Sequence, residues 1–543
     1  MEKKTKKRVF ITLGIVLAVL FVAAGAVVLK ADMMAKKMVT ERLNQLAAEK
    51  QLPLSWSDID IHLLHGSVQV EDLALDLKVP QADGKDTAFV HVRVPKIYAG
   101  HIHWITLAKH RVLHIDRIRI KRPEVSLRSP KEALETLPLQ EDTAMTIPLQ
   151  AVRIDRIQLI NGAAEMTNCS DKLHVALDSL NITLRDVAYL FADSTLTLND
   201  SIYHLEVHNL LYCSEDGLFS ATVEDVLTAD AGGICINGIQ GGNTDKKTEH
   251  AHRMGNVAST WVEFTMQDIL TSPISLVRTA QKQELTLDSI RIRGSRVNMH
   301  RDNHYPSAET YPLPQESLAE AEIPLLINRM HIVLDRFNFS MTDNGKDIGS
   351  LNFNHNDICI SNITNTPDAV MKSNVSNRLP DGGTVKIGMD MRVNPACSFT
   401  YRQEIHNTRG ATLASYTAPL MGATLGGNIH SIKMECKGNK HTMDGTFCMI
   451  YDSLTMHIED NTPFEQLAKV TGLVNVFMPA VLLKQNPRYP GKEPETYEVH
   501  GERDPWQPFP MYLFIPFNEG IYKSILPPSI AASMSENKPK NKK

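Results

Sequence analysis

Along this chain an alternation of apolar and other residues is repeatedly cut by two polar residues and then resumes in the opposite phase. The stretch from Leu113 shows it plainly: Leu113 and Ile115, then Asp116 and Arg117, then Ile118 and Ile120. Alternation with a period of two places one side chain in two on the same face of a strand. A phase shift moves the apolar set to the other face unless the strand bulges or bends there, so each copy predicts two short strand arms about a corner. Further copies have their polar pairs at Ser57-Asp58, Glu71-Asp72, Asp155-Arg156, Asp178-Ser179, Asp288-Ser289, Asn328-Arg329 and Asp452-Ser453. One such string is what any hairpin-rich β protein throws up. The recurrence predicts a repeated structural unit.

The repeat is itself duplicated. Residues 113–167 match 285–342, with Val125 and Leu127 corresponding to Val297 and Met299, and Ile147-Pro148-Leu149 to Ile323-Pro324-Leu325. A nearly constant offset is what duplication followed by small loop insertions leaves. Polar, proline-containing stretches at 129–145 and 302–322 read as loops leaving one edge of a sheet, and the Gly- and His-rich stretch 237–256 reads as a loop and a flexible break between the halves. Beyond Asp381-Gly382-Gly383, alternation at Val385, Ile387, Met389, Met391 and Val393 continues the β pattern.

The ends follow other periods. Lys3, Lys4, Lys6, Lys7 and Arg8 precede an uncharged run from Val9 to Leu29, which predicts a membrane helix with its N-terminus in the cytoplasm and the body exported. A cleaved signal peptide with Ala24-Gly25-Ala26 as its site is the competing reading, but the apolar run continues past that site. After Asp32, the residues Ala35, Val39, Leu43 and Leu46 make one stripe of a short helix, expected to pack on the first strands. Thr462-Pro463-Phe464-Glu465 forms a capping box before Leu467, Val470, Val474, Phe477 and Val481 at helical spacing. A second apolar stretch, 509–526, contains Pro510 and Pro516 and is too interrupted for a membrane span.

Hydrophobic residues make up 43% of the 543 positions and charged ones 22%, which is the composition of a folded protein. The net charge of -5, with no basic block beyond the first ten residues, argues against nucleic acid as a partner. Seven scattered cysteines give no paired spacing, so disulfides are not the basis of the fold. His101 and His103 share one side of a strand and His110 and His114 lie near, yet no carboxylate or cysteine stands at a matching ligand spacing, so no metal is expected. Glu249-His250-Ala251-His252 reads as a mobile polar segment. No phosphate loop, nucleophile elbow or His-Glu-x-x-His string occurs, and no cofactor or catalysis is expected.

The basic stub, membrane helix and short helix, followed by the string LLHGSVQVEDLALDL (63–77), resemble the start of AsmA-like proteins. The strings RIDRIQLINGAAEM (153–166) and TLDSIRIRGSRVNM (286–299) are similar to that family's repeated strands. The resemblance implies an inner-membrane-anchored periplasmic protein of a Gram-negative-type envelope, with a long curled sheet enclosing an apolar trough. It also implies a role in phospholipid transport or lipid balance between the two membranes. The expected fold is thus mainly β: an elongated, curled, largely antiparallel sheet of repeated bent strands, with an N-terminal transmembrane helix and C-terminal helices. Some twenty to twenty-five strands at about 4.8 Å each would extend about 100 to 120 Å as one sheet.

The expected organisation is a basic stub (1–8), a membrane helix (9–29), a membrane-proximal helix (30–52), two β-repeat halves (53–256 and 257–460), an amphipathic helix (461–484), an apolar segment (485–530) and a disordered tail (531–543). Ile118, Ile120, Ile157, Leu159, Ile290, Ile292, Met330 and Ile332 are the expected trough-lining residues. Expected partners are phospholipid or another envelope lipid and the inner membrane. The rival is a periplasmic scaffold, with an ordinary closed core, that helps assemble outer-membrane proteins or a secretion complex.

Overall fold

The computed structural model describes parts of 36–45, then 53–79, 88–128, 149–167, 173–190, 195–197, 204–278, 283–458 and 482–528, apart from short gaps within these ranges. The expected membrane helix (9–29), the loop 129–145, the capping box at Thr462 with its helix, and the tail lie outside the described residues. Among the described residues, no helix is long and apolar enough to cross a membrane. The fold is mainly β, built of repeated strands with few helices. It divides into two compact units, 1–239 and 240–543.

The first unit holds β1 (Leu54–Ser55), β2 (Asp58–His62), β3 (Ser67–Val79), β4 (Ala88–Ile102), helix α1 (Trp104–His110), β5 (Val112–Lys121) and β6 (Glu124–Arg128). It continues with β7 (Ala151–Thr167), β8 (Leu173–Leu190), β9 (Thr195–Thr197), β10 (His204–Cys213) and β11 (Phe219–Thr228). Strand β12 (Ile234–Asn243) carries the division between the units. In the second unit follow helix α2 (His250–Arg253), β13 (Thr260–Thr271), β14 (Ile274–Arg278), β15 (Gln283–Asp302), helix α3 (Pro314–Ala319), β16 (Leu325–Asp343) and β17 (Lys346–Thr364). It closes with β18 (Val370–Arg378), β19 (Thr384–Arg392), β20 (Phe399–Arg409), β21 (Ala423–Gly438), β22 (Thr442–Ile458), β23 (Thr496–Glu502) and helix α4 (Phe509–Ile525).

Among the described pairings, β5–β7, β6–β7 and β15–β16 are parallel and the others antiparallel. These parallel pairs are the two copies of the duplicated segment. A parallel neighbour cannot be reached by a tight turn and needs a crossover of a dozen or more residues. The proline-containing stretch 303–324 is the crossover of the second copy, and the stretch that precedes β7 in the first lies largely outside the described residues. The second is more than the polar loop expected: it folds as α3, with Leu313 and Gln315 fully buried, and its Glu316 meets Lys440 at 2.5 Å and Arg503 at 3.4 Å. The expected loop at 237–256 is likewise corrected. It contains most of β12 and all of α2, and His250, buried, bonds through Nδ1 to the buried Asp245 at 3.0 Å. Its glycine at 242 serves close packing, since a Cβ there would meet the carbonyl of Val262.

The polar pairs mark corners, and the ladder shows how. Between β4 and β5 the register passes from Ile102↔Ile115 to Gly100↔Arg117, skipping His101 and Asp116, and His101 takes φ 57°. Ile115 and Ile118 on either side are therefore both 1% exposed. Along β15 and β16 the skips fall at Asp288 with Asn328, and again at Ser295 with Asp335, a second corner that alternation did not reveal. Opposite them in β17 stand the left-handed Asn362 and His355. Asp72, Asp186, Asn209 and Asn407 are further left-handed residues within strands. Short polar side chains tolerate this region where β-branched ones do not, and at the corner they point away from the apolar face.

Each unit has a closed core at one end. In the first, Val39 and Leu43 of the helical residues near 36–45 share one buried cluster with Ile59, Ile61, Val68 and Ile118. In the second, α4 packs on Tyr401, Phe447, Met449 and Val499. Helix α4 keeps Pro510 in its first turn and Pro516 inside, and it lies on the sheet because residue 520 is glycine; a Cβ there would overlap the Phe447 ring. Strand β23 in the same stretch was not anticipated, its alternation being confined to Tyr497 and Val499.

Candidate functional site

The eight residues expected to line a trough come together as four cross-strand pairs. Ile118 faces Ile157 and Ile120 faces Leu159 across β5 and β7; Ile290 faces Met330 and Ile292 faces Ile332 across β15 and β16. Residues directly opposite in a ladder share a face. The parallel pairing of each duplicated segment is what brings them together.

Their surroundings differ. In the first unit the register Val70, Ile97, Ile120, Leu159, Ile182, Leu205 is continuous across six strands. Val70, Ile97 and Ile120 are 3%, 4% and 8% exposed and share a cluster with Val39 and Leu43, whereas Leu159, Ile182 and Leu205 are half-buried. Ile118 and Ile120 are thus buried residues of the cluster that also holds Val39 and Leu43. Ile157, next to Ile118, packs against the same cluster while half-buried.

In the second unit the equivalent residues are half-buried, and Ile290 and Met330 pack against the core cluster that includes residues of α4. The register Ile269, Ile292, Ile332, Ile358, Val375, Ile387 crosses β13, β15, β16, β17, β18 and β19, and all six side chains are half-buried. Ile290 and Met330 stand two residues back in the same strands, on the same face, also half-buried, at the margin of the core. Of the others in the register, alternation in the sequence names Ile387 as a strand residue; the pairing alone aligns it, with Ile269, Ile358 and Val375, to the duplicated pair. The stripe ends where Ile387 meets Gln403, buried, whose Oε1 accepts a hydrogen bond from the Tyr401 hydroxyl at 3.0 Å. Beyond it the face is sealed by α4, where burial pushes the Tyr401 phenol far up and the Cys436 thiol up to about 12, keeping both neutral.

The six side chains of the stripe are aliphatic and offer dispersion contacts. An aliphatic stripe left half-open loses roughly 25 cal/mol for each Å² that water keeps, so it gains from an apolar occupant. No protein-family model and no curated protein matches this chain.

Proposed function

We propose that this is an AsmA-like, non-enzymatic envelope protein that contributes to phospholipid transport or lipid balance between the inner and outer membranes by holding acyl chains on the apolar face of its bent strands. The observation that carries this reading is the six-strand stripe from Ile269 to Ile387, in direct register and half-buried throughout. At about 4.8 Å per strand it runs about 24 Å, longer than the roughly 15 Å that acyl chains fill in one leaflet. The basic stub and the uncharged run 9–29 support an inner-membrane anchor with the N-terminus in the cytoplasm and the body in the periplasm. A scaffold with a closed core is the second reading, and the sealed cluster around Ile118 favours it for that part of the first unit.

The two readings separate on lipid content. The full chain, extracted in detergent, is expected to co-purify with phospholipid detected by mass spectrometry, and Ile292→Lys with Ile332→Lys is expected to lose most of it while remaining folded. A lipid-free protein, or a folded double variant carrying as much lipid as the wild type, overturns the groove.

A further inference from the structure

On the outward face of the first unit, β4 and β5 bring together four side chains that ligate metals. Ile102 and Ile115 are paired and buried, so the residues flanking them point the other way. His103 then stands opposite His114, its N–H donating to the His114 carbonyl at 3.0 Å, and the two imidazoles stack at 4.3 Å. His101 stands opposite Asp116, with Nδ1 3.5 Å from Oδ2. On the diagonal His103 Nε2 lies 2.6 Å from Asp116 Oδ1. One ligand atom from each of His103, His114 and Asp116 lies within 4.8 Å of the other two. The carboxylate that linear spacing did not supply comes from antiparallel register: a His-x-His at the end of one strand faces a His-x-Asp at the start of the next.

We propose that His103, His114 and Asp116, with His101 as a fourth donor, form a binding site for a divalent transition metal of the zinc class. Imidazole and carboxylate donors suit Zn²⁺ and its neighbours Co²⁺, Ni²⁺ and Cu²⁺ better than Mg²⁺ or Ca²⁺. Bonds of 2.0–2.1 Å in a tetrahedron set ligand atoms about 3.3 Å apart, so a bound ion would draw the three groups together from their present spacing of within 4.8 Å. Asp116 meets two imidazoles and no Lys or Arg in an ion pair among the described residues, so its charge is available to a cation. On the neighbouring strand Asp155 Oδ1 lies 2.7 Å from His114 Nε2, which fixes that ring and leaves Nδ1 to the metal, the arrangement by which a carboxylate behind a histidine orients a ligand. The connection is held as well: the Trp104 indole N–H donates to the Leu63 carbonyl at 3.1 Å. His110, farther along α1, is exposed and outside the cluster.

Zinc titration of the untagged full chain by calorimetry tests the site. One equivalent is expected to bind here, His103→Ala with His114→Ala is expected to abolish that binding, and Asp155→Asn to weaken it about tenfold. Zinc binding that is unchanged in the double variant, as it would be if the separate group His331, Asp357 and Cys359 were the binder, overturns the assignment. In the wild-type protein zinc is also expected to protect His103 and His114 from diethyl pyrocarbonate, mapped by mass spectrometry. Equal modification with and without zinc overturns the proposal even if the double variant fails to fold.

Discussion

Asp381, in the turn between β18 and β19, shows how one residue fixes a local junction. Its Oδ2 accepts hydrogen bonds from Thr408 Oγ1 at 2.9 Å, the Arg409 N–H at 2.8 Å and Thr412 Oγ1 at 2.7 Å, while Oδ1 accepts from the Gly383 N–H at 3.0 Å. Partial burial raises its pKa, but the four hydrogen bonds together outweigh that and hold the carboxyl below the usual aspartate range. A depressed folded pKa means that the stabilisation is fully present above the unfolded value of about 3.9 and is lost as pH falls through the folded one. Asp381→Asn is therefore expected to lower stability by about 1 kcal/mol at pH 7, less than the ~1.5–3 kcal/mol of a buried charged hydrogen bond because the residue is exposed. The difference should vanish in strong acid. Urea midpoints of both proteins across this pH range check it, and a difference that persists below the folded pKa would refute the linkage.

At the scale of the element, a bent strand is a device for keeping one face apolar while the chain turns, and what covers that face decides its use. Ile120 and Ile292 occupy equivalent places in the duplicated strands, yet Ile120 and its neighbour Ile118 are 8% and 1% exposed within the cluster that also holds Val39 and Leu43, whereas Ile292 is half-buried. A lysine at 118 has no route to water and costs several kcal/mol in desolvation. One at 292 can extend its stem along the stripe and reach solvent with its ammonium. Ile118→Lys is thus expected to leave the first unit unfolded while Ile292→Lys keeps a native hydrogen-exchange pattern. Equal loss of protection in both variants would mean that the stripe is part of a closed core.

For the whole molecule, the proposed anchoring predicts that protease added outside spheroplasts digests the chain beyond about residue 30, and a protected body would refute that topology. What the sequence determined by itself is local and periodic: strand arms from alternation, corners from polar pairs, and the duplication that put Ile118, Ile120, Ile157 and Leu159 in one set with Ile290, Ile292, Met330 and Ile332. These follow from covalent order, because a period of two and a left-handed residue act within a few positions. The tertiary structure alone decided that the duplicated strands pair in parallel, so that the eight residues meet face to face. It alone decided that Val39 and Leu43, from far up the chain, join the buried cluster that holds Ile118 and Ile120, while Ile292 stays half-buried. The juxtaposition of His101 and His103 with His114 and Asp116 is of the same kind: alternation puts each pair on one face, but only the register of β4 against β5, fixed by the skipped residues at the corner, sets them side by side.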